Sequence, residues 1–301
     1  MQSFFEEKRE LTPDIVIGSG FYEDNEGVRE LTIPFGTVEI AEGAFRDFEF
    51  IESVTIPAGV KKIGALAFSG CKNLKRVNFG EGLLEIADEA FSSCSSLCAV
   101  SLPDSVKTIG EGAFEGCASL GSVKLPLGCE LIGSSAFAYC FNLCEIEIPN
   151  SCTEIEMCAF LCCFSLEWAK ISDGVQLLPE SLFEGCRSLK TVDLPTKLVK
   201  ISDRCFKGCT KLSDVIIPSA TETVGLDAFA DCSSLTAISL PGGLRVLEDG
   251  EVFGGCESLR EISFGGDNAA WENIMRGRVI SIQRRDGSVY VPKVTFMNLK
   301  R

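Results

Sequence analysis

The chain has 301 residues, of which 46% are apolar, and its formal net charge is −15. This apolar content can build one continuous core, and it excludes an intrinsically disordered chain. The acidic charge repels nucleic acid and anionic lipid, so we expect neither as a partner.

The first segment, residues 1–27, lacks the spacing pattern of the rest and is interpreted as an N-terminal cap. Within it, Ile15 to Ile17 can supply one irregular strand. No apolar run of signal-peptide length follows Met1 to Glu10, and the sequence contains no apolar stretch of transmembrane length. The sequence therefore predicts a cytoplasmic protein without membrane insertion, whereas an incomplete N-terminus would favour the cell surface.

An internal repeat of constant length begins at Val28. Phenylalanine marks the units, a cysteine follows most of these phenylalanines by three positions, and a leucine or isoleucine follows each of them by six. The phenylalanines are evenly spaced except for one extra residue in the last step, and they are Phe45, Phe68, Phe91, Phe114, Phe137, Phe160, Phe183, Phe206, Phe229 and Phe253. The cysteines of this column are Cys71, Cys94, Cys117, Cys140, Cys163, Cys186, Cys209, Cys232 and Cys256. Ten units in phase indicate an architecture of stacked repeats.

Each unit predicts a strand, a turn and a return leg. The L-x-x-V-x-L end of a unit alternates apolar and polar residues, which is typical of a strand with one buried face. Proline, as at Pro103 and Pro126, then ends the strand. The segment I-G-x-x-A-F-x-x-C spaces its apolar residues by three and four, which predicts a tight helical turn. One unit cannot bury its apolar side alone, so the units are expected to stack at the strand spacing of ~4.8 Å.

These units resemble the BspA-like, or Treponema pallidum-type, leucine-rich repeats. The resemblance is carried by units such as LPDSVKTIGEGAFEGCASLGSV, Leu102 to Val123, and covers about Val28 to Phe264. It implies an α/β repeat solenoid, a leucine-rich-repeat horseshoe of mainly parallel strands with short helical turns and about ten 23-residue coils over residues 28–266. Family members are mostly surface or secreted proteins of bacteria and some protists, and they are linked to adhesion and partner binding.

Residues 267–301 are predicted to form a C-terminal cap made of a helix and a hairpin. Asp267 can cap a short helix with one apolar face, formed by Trp271, Ile274 and Met275. Asp286-Gly287 is a favourable hairpin turn. This segment has seven basic and three acidic side chains, a net charge of +4. It is either a solvated cap or a surface that docks on an acidic partner, which could be another copy of the chain.

The sequence predicts no catalytic centre, no metal site and no cofactor. It contains no histidine, which removes the commonest general base and every histidine metal site. No phosphate-binding glycine loop and no paired-carboxylate motif occur either. The cysteine column is interpreted as buried structural thiols. Cys158 with Cys162 lies outside that column and is the one place where we would look for metal or redox chemistry.

Side chains between the buried columns of a parallel sheet are expected on its open, concave face. Most of them are small or polar, so Trp168 is unexpected there and, with its polar surround, is typical of a binding hot spot. The alternative is a slip in register that turns Trp168 inward, because Ala169 leaves its core position underfilled. The predicted binding residues are Trp168, Lys170, Glu145, Glu147, Thr191, Asp193, Arg76 and Lys124.

The sequence therefore predicts a non-enzymatic protein-interaction module, a monomer that binds a protein or peptide on the concave sheet. The alternative is a cell-surface adhesin or glycan-binding repeat protein. The state of the cysteines distinguishes them, because an exported protein would carry oxidised pairs and a cytoplasmic one free thiols.

Overall fold

The computed structural model describes residues 15–17, 28–248, 251–283 and 287–297. Nearly every repeat contributes one strand to each of two rows of parallel strands, which run along a continuous core and are each divided into shorter hydrogen-bonded sheets. In chain order the strands are β1 (Ile15–Ile17), β2 (Glu30–Thr32), β3 (Thr37–Ile40), β4 (Ser53–Ile56), β5 (Lys62–Ile63), β6 (Arg76–Phe79), β7 (Glu85–Ile86), β8 (Ala99–Ser101), β9 (Thr108–Ile109), β10 (Ser122–Lys124), β11 (Leu131–Ile132), β12 (Glu145–Glu147), β13 (Glu154–Ile155), β14 (Trp168–Lys170), β15 (Leu177–Leu178), β16 (Thr191–Asp193), β17 (Lys200–Ile201), β18 (Asp214–Ile216), β19 (Thr223–Val224), β20 (Ala237–Leu240), β21 (Val246–Leu247), β22 (Glu261–Phe264), β23 (Ile282–Gln283), β24 (Val289–Tyr290) and β25 (Lys293–Phe296).

The even-numbered strands from β2 to β22 are the L-x-x-V-x-L segments and form what we call the front sheet. The odd-numbered strands from β1 to β21 lie on the return leg and form the back sheet. Most strands of adjacent coils pair in parallel, and their register equals the repeat length, as Val100 with Val123 in the front sheet and Ile132 with Ile155 in the back sheet. Among the described strands this pairing is interrupted between β6 and β8, β10 and β12, and β16 and β18 in the front sheet, and between β13 and β15 in the back sheet. The pairing absorbs the one extra residue of the last unit where Ile238 meets Ile262. Each column of identical residues therefore becomes a row of touching side chains.

The phenylalanine column forms the centre of the core. The ten rings are buried and stack on one another, with centroids 5.0 Å apart at Phe45–Phe68 and 6.0 Å apart at Phe229–Phe253. Parallel stacking of this kind is set by the step between coils rather than by the preference of two isolated rings, which favours offset or edge contacts. The core thus has a single repeated motif along its whole length.

The predicted short helical turns are wrong. In the segment I-G-x-x-A-F-x-x-C the backbone makes consecutive reverse turns, closed by Ala67 N–H to Gly64 O and Cys71 N–H to Phe68 O, both 3.2 Å. Alternate amides point to the next coil instead, as Phe68 N–H does toward Ala90 O at 2.7 Å. In most coils, two residues of this segment, four positions apart, have a left-handed backbone conformation, such as Leu66 (φ 58°). A left-handed residue in each turn cannot continue a helix, although the apolar spacing by three and four is the same as that of a helix.

The C-terminal end adds one helix, a two-stranded hairpin and one further strand that pairs with the front sheet. Helix α1 (Asn268–Met275) begins after Asp267, whose carboxylate accepts a hydrogen bond from Ala270 N–H at 2.8 Å. β23 and β24 form an antiparallel hairpin, and β25 pairs in parallel with β22, so that it closes the front sheet. The predicted turn residue Asp286 lies outside the described residues. No helix in the described part of the chain has the length and apolar character needed to cross a membrane.

At the N-terminal end, β1 pairs with β3 and extends the back sheet by one strand. The rest of the predicted N-terminal cap, residues 1–14 and 18–27, lies outside the described residues.

Candidate functional site

The candidate site lies on the exposed side of the front sheet, which we call the front face. Each strand there exposes its first and third side chains and directs the second inward, as a period of two requires. In β14, Trp168 is half-buried, Ala169 is fully buried and Lys170 is exposed. Ala169 pairs with Ile146 and Val192, so the strand keeps its register. The alternative in which Trp168 turns into the core is therefore wrong.

Six of the predicted binding residues form two rows across β12, β14 and β16. The first row is Glu145, Trp168 and Thr191, and the second is Glu147, Lys170 and Asp193. The structure therefore brings these six together on one patch of about three strands' width, ~10 Å from first strand to third.

The other two predicted residues lie further along the front face. Lys124 is exposed at the third position of β10, the strand preceding β12, and so belongs to the row of Glu147 and Lys170. Arg76 is exposed on β6, four coils before Trp168, which corresponds to about 19 Å along the stack. Arg76 is therefore not part of the Trp168 patch.

One ion pair crosses the patch. Lys170 Nζ lies 2.6 Å from Glu147 Oε1, and the hydrogen bond that it donates to this carboxylate, followed by the charge of the carboxylate, raises the pKa of Lys170. Both side chains are largely exposed, so the pair adds little to stability. The pair instead determines which charges of the patch remain unbalanced. Among the described residues, the carboxylates of Glu145 and Asp193 lie beside Trp168 without a lysine partner.

Sequence reasoning places Ile216 at an outward position but does not include it among the predicted binding residues; it ends β18 and is 80% exposed. It occupies the third strand position, where other coils carry residues such as Ser239 and Asp193. The signal was available, since an apolar residue at an outward position is unexpected for the same reason as Trp168. Ile216 lies two coils from β14, about 10 Å away.

The cysteine column is buried, as its apolar neighbours suggested, and it has a specific role. Each of the nine thiols donates a hydrogen bond to the phenylalanine carbonyl of the preceding coil, for example Cys117 Sγ to Phe91 O at 3.2 Å. The same carbonyl also accepts Cys94 N–H from its own turn. Burial raises the pKa of Cys117 to about 12. These thiols are structural hydrogen-bond donors.

Cys158 and Cys162 occupy the two left-handed turn positions of their coil, with φ of 60° and 57°. Their C-x-x-x-C spacing therefore reflects the spacing of the turns. Partial burial, followed by the charge of Glu184, raises the pKa of both thiols. Reactive cysteines have the opposite environment, electropositive and with a depressed pKa. Among the described residues no group of three or more potential ligands could hold a metal ion.

A cavity of about 500 Å³ opens on the back sheet beside Pro179. The equivalent amide in the next coil, Ser202 N–H, donates to Leu178 O at 3.0 Å, but proline has no N–H to offer. The back sheet is interrupted at this coil, between β13 and β15, and the half-exposed side chains of Met157 and Leu177 flank the opening. The sequence signal was a proline outside the column that ends the front strands.

The stacked columns, the parallel register and the turn geometry can be compared with known proteins. A family model described as BspA type leucine rich repeat region matches residues 38–167 and 153–274, in six copies. The chain belongs to this family.

Solved structures agree in fold. A leucine-rich repeat protein from Bacteroides ovatus is 26% identical, with a TM-score of 0.59, over 90% of this chain and 72% of that one. The T. pallidum leucine rich repeat protein is 30% identical, with a TM-score of 0.50, over 66% of this chain and 83% of that one. The pneumococcal vaccine antigen PcpA, at 19% identity and a TM-score of 0.57, covers 90% of this chain with 80% of its own and shows the fold alone. No curated protein sequence matches the chain.

Proposed function

We propose that this BspA type repeat protein is a non-enzymatic interaction module that binds a protein or peptide through the front face around Trp168. The single observation that carries the proposal is the placement of Trp168. Trp168 is half-buried on the outward side of a strand whose inward position is filled by Ala169, so it is not part of the buried core.

Tryptophan gives a large, rigid contact area at low conformational cost, and it is enriched among residues that dominate binding energy. The strands on both sides hold the backbone of β14 in register, so the ring is presented from a fixed scaffold. A preorganised surface loses less entropy when it binds than a loop that must order first. These three features support a role in recognition.

The test is Trp168→Ala. We expect its melting temperature to stay within about 2 °C of the parent protein, because surface substitutions rarely change stability by more than ~0.5 kcal/mol. Affinity for the partner should fall about 10- to 30-fold, as for a hot-spot residue. Calorimetry and binding of the purified partner measure the two effects.

Two variants provide the comparison. Phe141→Ala removes another partly exposed aromatic ring, on the turn side of the solenoid, and should leave binding unchanged. Phe137→Ala truncates a buried ring of the stack and should cost about 3–5 kcal/mol. A loss of stability in Trp168→Ala similar to that in Phe137→Ala would contradict the proposal, as would equal binding by Trp168→Ala and the parent.

We further propose a reducing compartment, the cytoplasm, because the column cysteines support the structure as thiols that donate hydrogen bonds. Alkylation in native cells followed by mass spectrometry should find sixteen free cysteines. Bridged pairs would instead support the alternative, an adhesin at the cell surface.

A further inference from the structure

Negative charge on the front face is concentrated where the apolar side chains are. From β12 to β18 the outward positions carry four exposed carboxylates and one ammonium group, a net charge of −3. The ammonium group belongs to Lys170, which is already paired with Glu147. In the flanking column, Glu167 Oε2 lies 2.7 Å from Lys190 Nζ, so these two charges balance. The carboxylates are Glu145, Glu147, Asp193 and Asp214.

The neighbouring front strands differ. From β4 to β10 the outward positions carry two basic side chains, Arg76 and Lys124, and no acidic one, while β2 and β22 carry one carboxylate each, Glu30 and Glu261. The acidic patch is therefore a local feature and does not simply follow from the net charge of the whole chain.

Two apolar side chains lie within this acidic patch. Trp168 is at the first position of β14, and Ile216, 80% exposed, is at the third position of β18. Between them, β16 exposes Thr191 and Asp193. An isolated exposed isoleucine needs no explanation, but two large apolar groups about 12 Å apart on an otherwise polar sheet face form a pair of contact points separated by a carboxylate.

We propose that the partner presents a basic segment in which lysine or arginine stands between two apolar side chains. The apolar groups would contact Trp168 and Ile216, and the cationic group would meet Asp193 and Asp214. Complementary charge steers association and excludes acidic competitors, while the apolar contacts hold the complex. This inference rests on the proposed function and adds the chemistry of the partner to it.

The experiment is selection of a displayed library of random 12-residue peptides on the full chain. We expect enriched peptides to carry at least two more positive charges than the input library, together with apolar residues on both sides of the basic ones. Trp168→Ala and Ile216→Ser should each abolish this enrichment. Val289→Ser changes a residue of similar exposure, 66%, in the C-terminal hairpin and should not.

The double variant Asp193→Asn/Asp214→Asn tests the charge alone. It keeps the shape of the front face, and it should weaken the Kd of the best basic peptide about tenfold while lowering the positive charge of newly selected peptides.

The outcomes separate the two proposals. Enriched peptides that depend on Trp168 but are neutral or acidic overturn the basic partner and leave the proposed function standing. Enrichment that is the same on Trp168→Ala, or no enrichment at all, overturns both.

Discussion

At the scale of single residues, the cysteine column shows how a side chain can be selected by one hydrogen bond. The phenylalanine carbonyl of each coil faces the next coil, and the thiol there is small enough to fit beside the stacked rings and long enough to donate to that carbonyl. Alanine would fit but would leave the bond unmade. The buried thiol therefore combines the packing of a small apolar group with a weak donor.

Because of the same burial, we expect the stability of the folded protein to fall at alkaline pH. Burial raises the pKa of Cys71 and Cys117 to about 12 and also raises that of Cys94 and Cys232. A raised folded-state pKa contributes stability that is complete below the unfolded value, near 9, and is lost as pH rises toward 12. We expect the unfolding free energy to decline over this window, by about 1.4 kcal/mol per pH unit for each such thiol. Urea denaturation of the parent and of Cys117→Ala, whose slope should be smaller by one thiol, measures it.

Alkylation gives an independent check on the same residue. At pH 8 the exposed thiols of Cys98 and Cys144 should react with iodoacetamide in the folded protein, and Cys117 only after unfolding. Equal rates for Cys98 and Cys117, or a pH slope unchanged by Cys117→Ala, would show that the column is not protected by burial.

At the scale of elements, the front strands and the return leg differ in how much the sequence revealed. The alternation L-x-x-V-x-L correctly assigned inward and outward positions, and so it placed Trp168 and Lys170 on the front face. From β5 to β21 the back strands are two residues long, with one buried residue each, such as Ile63. A strand of two residues is too short to show an alternation of apolar and polar side chains. The sequence therefore predicted only a return leg at this position.

The helical turns were predicted wrongly because one spacing fits two structures. Apolar residues at steps of three and four can line a helix, but here they line successive turns whose other amides bond to the next coil. The deciding information is the left-handed backbone at every fourth residue, of which Gly70 and Gly116 were visible signs. Other coils place Cys162 or Tyr139 at the same position, which hid the pattern. The paired spacing of Cys158 and Cys162 has the same origin.

The position of the candidate site could be predicted from the sequence, but the predicted set of binding residues was incomplete. Six residues of one patch followed from the two outward columns, whereas Arg76 was grouped with them although it lies four coils away. Ile216 was not predicted, because an aliphatic side chain in a repeat rich in isoleucine and leucine is less distinctive than an aromatic or charged one.

Pro179 should make the back sheet locally weak. It removes one bond between coils, interrupts the sheet between β13 and β15, and adjoins a cavity. We expect hydrogen–deuterium exchange, followed by mass spectrometry, to be faster in peptides containing β13 and β15 than in those containing β7 and β9, since amides beside an unpaired edge open at lower free energy. Uniform protection along the back sheet would mean that the interruption has no energetic consequence.

At the scale of the whole molecule, contacts join each coil to its neighbours and to little else. Ion pairs follow this rule too: Lys62 with Glu85 and Lys107 with Glu130 are each one coil apart, at 2.8 and 2.9 Å. These pairs are exposed, so each contributes about 0–1 kcal/mol. Stability is therefore carried mainly by the buried columns, and it is approximately a sum over interfaces between coils.

A consequence is that the chain should tolerate the loss of a whole coil better than the loss of half of one. Deletion of residues 103–125 joins Leu102 to Pro126, so the columns stay in phase and Phe137 takes the place of Phe114 above Phe91. We expect this variant to remain folded and monodisperse, with a lower melting temperature because one interface is missing.

Deletion of only residues 103–114 removes the ring of Phe114 and the back strand β9 but keeps the following front strand. The remaining half of that coil has no return leg. The rings of Phe91 and Phe137 therefore lose their contacts with Phe114, and their apolar faces become exposed to water. We expect this smaller deletion to aggregate or to lose cooperative unfolding, as measured by size-exclusion chromatography and circular dichroism. If the two deletions were equally damaging, long-range contacts other than the interfaces between neighbouring coils would have to hold the molecule together.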